Sequence, residues 1–351
     1  MNGMRTKTKL MAAGIGAGVV AIILAMMGNP ANMAICVACF IRDMAGSMKF
    51  HTAAVVQYAR PEIVGIIIGA CLVSLMTKEF RSSAGSSPML RFLLGMAIMI
   101  GSLIFLGCPL RMVIRMAAGD MNAYVALIGF VLGVGSGTFA LKKGFSLGRA
   151  YETKAASGMV LPAVMAGIFV LSVGTGLFAV SEKGPGSMHA PVIISLLGGV
   201  AFGILAQKSR MCFAGGIRDI ILMKNFDLCS VIGGLFAAML IYNLISGNFN
   251  LSFAGQPVAH TEHIWNAAGM YVVGFAAVLA GGCPLRQLVL AGQGSSDAAV
   301  TFLGLFVGAA VCHNFGLASS GDGTTLNGRI ACLICIAVLI VIAAVGCRRK
   351  K

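Results

Sequence analysis

Apolar runs recur from end to end of this 351-residue chain, and their lengths leave few folds open. Ten of them approach membrane length, at roughly 10–28, 61–77, 90–107, 122–141, 159–181, 190–206, 228–246, 265–282, 297–317 and 329–347. A helix needs about 20 residues to cross the hydrocarbon, so several of these are short or tilted. In lipid every backbone N–H and C=O must find a partner inside the protein, and runs of this length do so as helices. Charged residues make up only 11% of the chain, where a soluble domain carries about 25%. The expected fold is an all-α polytopic membrane protein surrounded by a lipid bilayer.

Four further apolar pieces are too short to span: about 31–41, 108–119, 209–222 and 283–293. Each holds a cysteine and contains, or is soon followed by, an arginine. Pieces of this size are candidates for re-entrant half-helices, which enter the membrane and turn back.

Ten spans put both chain ends on one side. Arg5, Lys7 and Lys9 at one end and Arg348, Arg349, Lys350 and Lys351 at the other mark that side as cytoplasmic. The loop with Lys142, Lys143, Arg149 and Lys154 falls on the same side, as does the one with Lys208, Arg210, Arg218 and Lys224. Stretches 247–264 and 318–328 hold no Lys or Arg and fall outside. Arg42, Lys49, Arg60, Arg111 and Arg115 break the rule, and most lie in or beside the proposed half-helices. No cleavable signal peptide is evident, because the first apolar run is long enough to span and lacks a clear small-residue cleavage site. The net charge of +15 would suggest nucleic acid in a soluble protein. Here it reads chiefly as positive-inside signal, so no nucleic-acid partner is expected, and the remainder could attract an anion.

Gly-Cys-Pro-Leu-Arg occurs twice, at 107–111 and 282–286, each time where a long apolar run ends. A pentapeptide repeated at about half the chain length signals duplication. Other positions match too. Cys36 precedes Arg42-Asp43 by six residues, and Cys212 precedes Arg218-Asp219 by six. Gly119, Ala123, Gly129 and Gly133 recur as Gly294, Ala298, Gly304 and Gly308. Each unit reads span, Cys piece, span, span, Cys-Pro piece, span. An extra span lies between the units, so the second enters from the opposite face. Inverted repeats with broken helices are a common transporter architecture. The expected division is a first repeat over 1–158, a linking span and loop over 159–189, a second, inverted repeat over 190–328, and a final span with basic tail over 329–351.

Proline suits the first turn of a helix, where its missing N–H is no loss. That places Cys108 and Cys283 at or near N-cap positions. Free N–H groups and the helix dipole favour an anion there. Arg111 and Arg286, one turn on, can attract that anion or bond to carbonyls of a neighbour. The thiol is the unusual part, because sulfate or phosphate needs no soft donor. A substrate with terminal sulfur or selenium suits a polarisable S–H.

Other signals are weaker. Cys71, Cys229, Cys312, Cys332, Cys335 and Cys347 read as small apolar residues. Cys36-x-x-Cys39 has redox spacing, but the second unit holds no second cysteine. His260 and His263 form an isolated loop pair, poor as a metal site. Asp43, Asp219, Asp120 and Asp297 read as partners of arginines. No span-free region is large enough for a catalytic domain and no Walker A motif is present, so an enzyme is not expected, nor a cofactor.

The stretches Asn32 to Asp43 (NMAICVACFIRD), Gly107 to Ala123 (GCPLRMVIRMAAGDMNA), Arg210 to Asp219 (RMCFAGGIRD) and Gly281 to Ala298 (GGCPLRQLVLAGQGSSDA) resemble the YeeE/YedE family of bacterial inner-membrane sulfur-transport proteins. The resemblance implies an hourglass-like helical fold. It implies thiosulfate uptake as in the YeeE branch, or selenium transport as in the YedE branch, to which the chain looks closer. The family's transport cysteines carry over onto Cys36, Cys108 and Cys283, and the internal repeat adds Cys212. A small TusA-like sulfur-carrier protein is the implied cytoplasmic partner. Ser295-Ser296 stand where the first unit has Asp120-Met121, so the two vestibules differ chemically.

The resulting expectation is an inner-membrane transporter of a small sulfur- or selenium-containing anion. Its path would use Cys36, Arg42, Cys108 and Arg111 outside and Cys212, Arg218, Cys283 and Arg286 inside, with Cys39, Asp43 and Asp219 as secondary residues. The alternative is a membrane thiol-disulfide oxidoreductase built on Cys36 and Cys39.

Overall fold

The structure, a computed structural model, describes residues 2–348; Arg349, Lys350 and Lys351 of the expected basic tail lie outside the described residues. The chain runs α1 (Asn2–Met26), α2 (Val37–Ser47), α3 (Pro61–Met76), α4 (Pro88–Phe105), α5 (Pro109–Ala117), α6 (Met121–Lys142) and α7 (Ala155–Gly174), then α8 (Val192–Ser209), α9 (Phe213–Met223), α10 (Asp227–Ile245), α11 (His263–Leu279), α12 (Pro284–Gly292), α13 (Ser296–Asn314) and α14 (Leu326–Arg348). One short antiparallel pair, β1 (Ser83–Ala84) with β2 (Tyr151–Glu152), ties two loops together.

Each of the ten expected spans is a helix, and each of the four expected short pieces yields a short helix. Among the described residues nine stretches are long and apolar enough to cross a membrane, and α3, with 16 residues, is shorter. Several boundaries move. Helix α1 begins inside the basic leader rather than at residue 10. Helix α7 covers 155–174 rather than 159–181, because Thr175 is extended and ends it. The piece expected at 31–41 forms its helix at 37–47. There Met33 and Ala34 donate backbone bonds to the Pro30 carbonyl in a turn, and the helix starts only after Cys36. In the second unit the helix likewise waits for Cys212 rather than starting at 209.

The long helices pack in matched pairs. Helices α1, α3, α4 and α6 of the first unit correspond in order to α8, α10, α11 and α13 of the second. In space α1 packs on α10, and its counterpart α8 packs on α3. Helix α6 packs on α11, and the counterpart α13 packs on α4. Exchanging the units leaves this contact scheme unchanged, as two copies related by a twofold axis would require. Helices α7 and α14, outside the matched set, pack on its flank.

Glycine closes these seams, letting backbones approach where lipid supplies no hydrophobic drive. A Cβ on Gly203 of α8 would lie 2.3 Å from the Ile66 carbonyl oxygen of α3, and one on Gly133 of α6 would lie 2.1 Å from the Tyr271 carbonyl oxygen of α11. Gly203→Ala is therefore expected to destabilise the protein by about 1–3 kcal/mol through overpacking. Gly167→Ala, with open space around the position, is expected to be neutral or mildly stabilising. Thermal unfolding of the two purified variants in detergent checks this, and an unchanged melting point for Gly203→Ala would contradict it.

Candidate functional site

All four short helices begin on a cysteine. Cys36 caps α2 and its sulfur accepts from the Cys39 N–H at 3.5 Å. Cys212 caps α9 and accepts from the Gly215 N–H at 3.2 Å. Cys108 and Cys283 cap α5 and α12 in extended conformation, with Pro109 and Pro284 opening the first turn. The chain reverses into each Cys-Pro helix through a left-handed residue, Leu106 at φ 63° and Gly281 at φ 84°. Gly107 and Gly282 are needed for a further reason. A Cβ there would come within 2.9 Å of the Arg111 side chain and 2.8 Å of the Arg286 side chain. Both arginines fold back over the glycine of their own motif.

The caps meet in pairs. Cys36 Sγ lies 3.8 Å from Cys108 Sγ. The Cys212 and Cys283 side chains lie against each other in the second unit. All four are free thiols with at most 6% exposure. Each junction therefore joins two helix N-termini, whose N–H groups and dipoles favour negative charge, around a pair of soft donors. Helix α2 touches α12 and α5 touches α9, so the short helices of the two units are in contact.

The arginines of the two motifs differ. Arg111 is fully buried and committed. Its Nε donates to the Asn32 carbonyl at 3.1 Å and its Nη2 to Asn32 Oδ1 at 2.9 Å and the Val258 carbonyl at 3.2 Å. Its Nη1 donates to the Leu106 carbonyl and, at 3.4 Å, to Cys39 Sγ. Arg286 has a buried Nη1 with no hydrogen-bond partner. It senses the charges of Arg210 and Glu79, and the exposed Arg210 lies 3.6 Å from Glu79. Arg111 is thus held on every side, whereas Arg286 Nη1 is left without a partner among the described residues.

Arg42 and Arg218 each fork onto the next residue. Arg42 Nη2 meets Asp43 Oδ1 at 2.7 Å, and Arg218 Nη2 meets Asp219 Oδ1 at 2.8 Å. The first pair is buried and the second partly exposed, with Arg218 at 30%. Asp43 also takes Arg60, whose Nη2 lies 2.8 Å from Oδ2. Asp120 pairs with Arg115 at 2.6 Å and caps α6. Asp297 binds the Gly85 and Ser86 N–H groups and lies 3.7 Å from Arg91, while Ser295 takes the capping role on α13. The Asp120-to-Ser295 difference is thus a difference in helix cap, and the unit holding Arg218 and Arg210 is the more open to solvent.

The structure places Cys39 at the first junction, its sulfur against Cys36 and facing the Leu106 carbonyl and Arg111. His260 Nε2 lies 2.8 Å from the Ile104 carbonyl oxygen, and the His263 ring lies 4.7 Å from that of Phe253, tilted by 60°. Among the described residues no group of three His, Cys, Asp or Glu could hold a metal. His51, bonded to the Arg42 carbonyl, is pushed below the ordinary imidazole range by burial. Three residues of this neighbourhood were not anticipated as contributors from the sequence. Arg60 completes the buried Asp43 cluster, Asn32 holds Arg111, and Glu62 lies buried at the start of α3. The Arg60-Pro61-Glu62 string at the head of an apolar run is a legible signal for two of them.

Comparison with known proteins matches residues 208–347 to the family described as Sulphur transport. The thiosulfate transporter TsuA of Spirochaeta thermophila is 32% identical over 114 residues, 32% of this chain and 33% of that protein. The thiosulfate transporter TsuA of Escherichia coli is 30% identical over 112 residues, 30% of each chain. The match thus spans about a third of the length of these curated relatives. The family match includes Cys212, Arg218, Cys283 and Arg286.

Proposed function

We propose that this chain, whose residues 208–347 match the sulphur transport family, is a member of that family and a multi-pass inner-membrane transporter of a small sulfur-containing anion, thiosulfate being the substrate that fits best. It is a transporter rather than an enzyme. One observation carries this reading: two junctions of facing helix N-termini, each closed by a pair of buried thiols. A dianion with three oxygens and one terminal sulfur matches such a junction. Oxygens suit the N–H groups and dipoles, and sulfur suits the S–H donors.

In this reading α2, α5, α9 and α12 are re-entrant, the repeats over 1–158 and 190–328 are inverted about the linking stretch 159–189, and both termini are cytoplasmic. The anion reaches Cys36 and Cys108 from outside, passes to Cys212 and Cys283, and leaves past Arg286, Arg218 and Arg210. Each stop must bind weakly enough to release. The free Nη1 of Arg286 makes the inner junction the stronger attractor. Selenium analogues, softer still, belong to the same substrate class. A TusA-like sulfur carrier would take the product at the basic cytoplasmic face formed by the loops around Lys142, Lys143, Lys208 and Arg210. The oxidoreductase reading keeps the Cys36–Cys39 contact it needs, but Cys36 lies equally beside Cys108 and the second unit has no matching second cysteine, so the features shared by both junctions favour transport.

Labelled thiosulfate uptake by the purified protein in proteoliposomes tests the proposal. Uptake should saturate and be inhibited by unlabelled thiosulfate and by selenium analogues, but barely by excess sulfate. Inhibition by sulfate equal to that by thiosulfate would remove the reason for the thiols.

A further inference from the structure

Glu62 is fully buried, yet it has no cationic partner among the described residues. Its Oε1 accepts from Asn29 Nδ2 at 2.8 Å and from Ser195 Oγ at 3.0 Å, while its Oε2 is buried with no partner. The Tyr58 hydroxyl, which senses the Glu62 charge, is also buried and unpartnered. Charged and titratable groups around it are otherwise occupied. Arg60 is bound to Asp43 and to the Met188 and Pro185 carbonyls, Asp43 also holds Arg42, and His189 stacks on Tyr58 at 3.9 Å. From α8, the Ser195 hydroxyl reaches the carboxylate and Gly199 packs against the Glu62 backbone.

We infer that Glu62 is the group that carries a proton inward with the anion. This rests on the transport reading above and supplies its driving ion. An inside-negative potential opposes entry of an anion, and each proton carried with it cancels one of its charges and adds the pH gradient to the driving force. A proton fits the site better than a metal ion, because Asn29 and Ser195 aim N–H and O–H donors at Oε1, and Asn29 Oδ1 already accepts from the Ala190 N–H at 2.9 Å. The vacant Oε2 is where the proton sits. Without it, the carboxylate rests on two donors at a helix start, so both states are supported. The link to the path is direct. Asn29 Nδ2 also donates to the Ala34 carbonyl at 2.8 Å, on the turn that leads into Cys36.

Proteoliposomes clamped at zero potential test this. For wild type, an inward pH gradient of one unit is expected to raise thiosulfate accumulation about tenfold per proton carried. Glu62→Gln should keep thiosulfate counterflow, the exchange of labelled for unlabelled anion, and lose the gradient response. A gradient response retained by Glu62→Gln, or absent from wild type while counterflow persists, overturns the inference. If wild type shows no counterflow, the substrate reading fails instead. In that case, or if Glu62→Gln does not fold, a hydrophobic carbodiimide, which attacks only a protonated carboxyl, decides on the wild-type protein. An adduct on Glu62 that grows as pH falls supports the inference, and its absence at every pH overturns it.

Discussion

Asp43→Ala is expected to lower the stability of the protein by about 3–5 kcal/mol, the effect of stripping a buried ion pair of one partner. The carboxylate holds Arg42 and Arg60 at once, and both guanidinium groups are buried. Without Asp43 two cations remain in the interior, and Arg60 keeps its carbonyl bonds and its position over the Phe40 and Tyr58 rings. The matched change in the other unit, Asp219→Ala, removes the same fork from a half-exposed setting. Water screens that pair, so the expected loss is about 0–1 kcal/mol. Chemical denaturation of both variants in detergent measures the contrast. Equal losses at the two positions would show that burial does not separate them.

Cys108→Ala and Cys283→Ala are each expected to reduce thiosulfate uptake by about 10–100-fold while leaving folded yield close to wild type. A hydrogen bond to a charged group contributes about 1.5–3 kcal/mol, and that converts to this range of rate. Alanine keeps the extended cap conformation and the proline that follows, and neither thiol makes a capping hydrogen bond on its own helix. The fold therefore has little to lose. Transport has more to lose, because in the proposed path the two junctions act in series and a weak stop at either limits the whole. Cys312 and Cys332, buried among apolar helices and distant from the caps in sequence, are the controls. Their alanine variants should transport normally.

Much of this was written in the sequence, for physical reasons. Apolar runs of membrane length can only be helices, so ten helices could be counted before any contact was known. The Gly-Cys-Pro string placed Cys108 and Cys283 at helix starts because proline tolerates few other positions. The four carboxylates expected beside arginines are found there. Boundaries were less legible. The turn at Pro30 delays α2 by about six residues from the start of its apolar piece, since hydropathy reports burial and not backbone direction. Partner choice across the molecule was not legible at all. Nothing in the pentapeptides distinguishes Arg111 from Arg286. The difference comes from Asn32 and the Val258 loop, which reach the first and have no equivalent at the second. The pairing of Cys36 with Cys108, 72 residues apart, likewise depends on how the helices assemble.

The central claim is that an anion passes between the paired thiols of the two junctions. Its most direct test is thiosulfate uptake by the Cys108→Ala/Cys283→Ala double variant in proteoliposomes, with folding verified by elution profile and helix content. Uptake at the level of empty vesicles is the expected result. Undiminished uptake by the folded double variant would contradict the account.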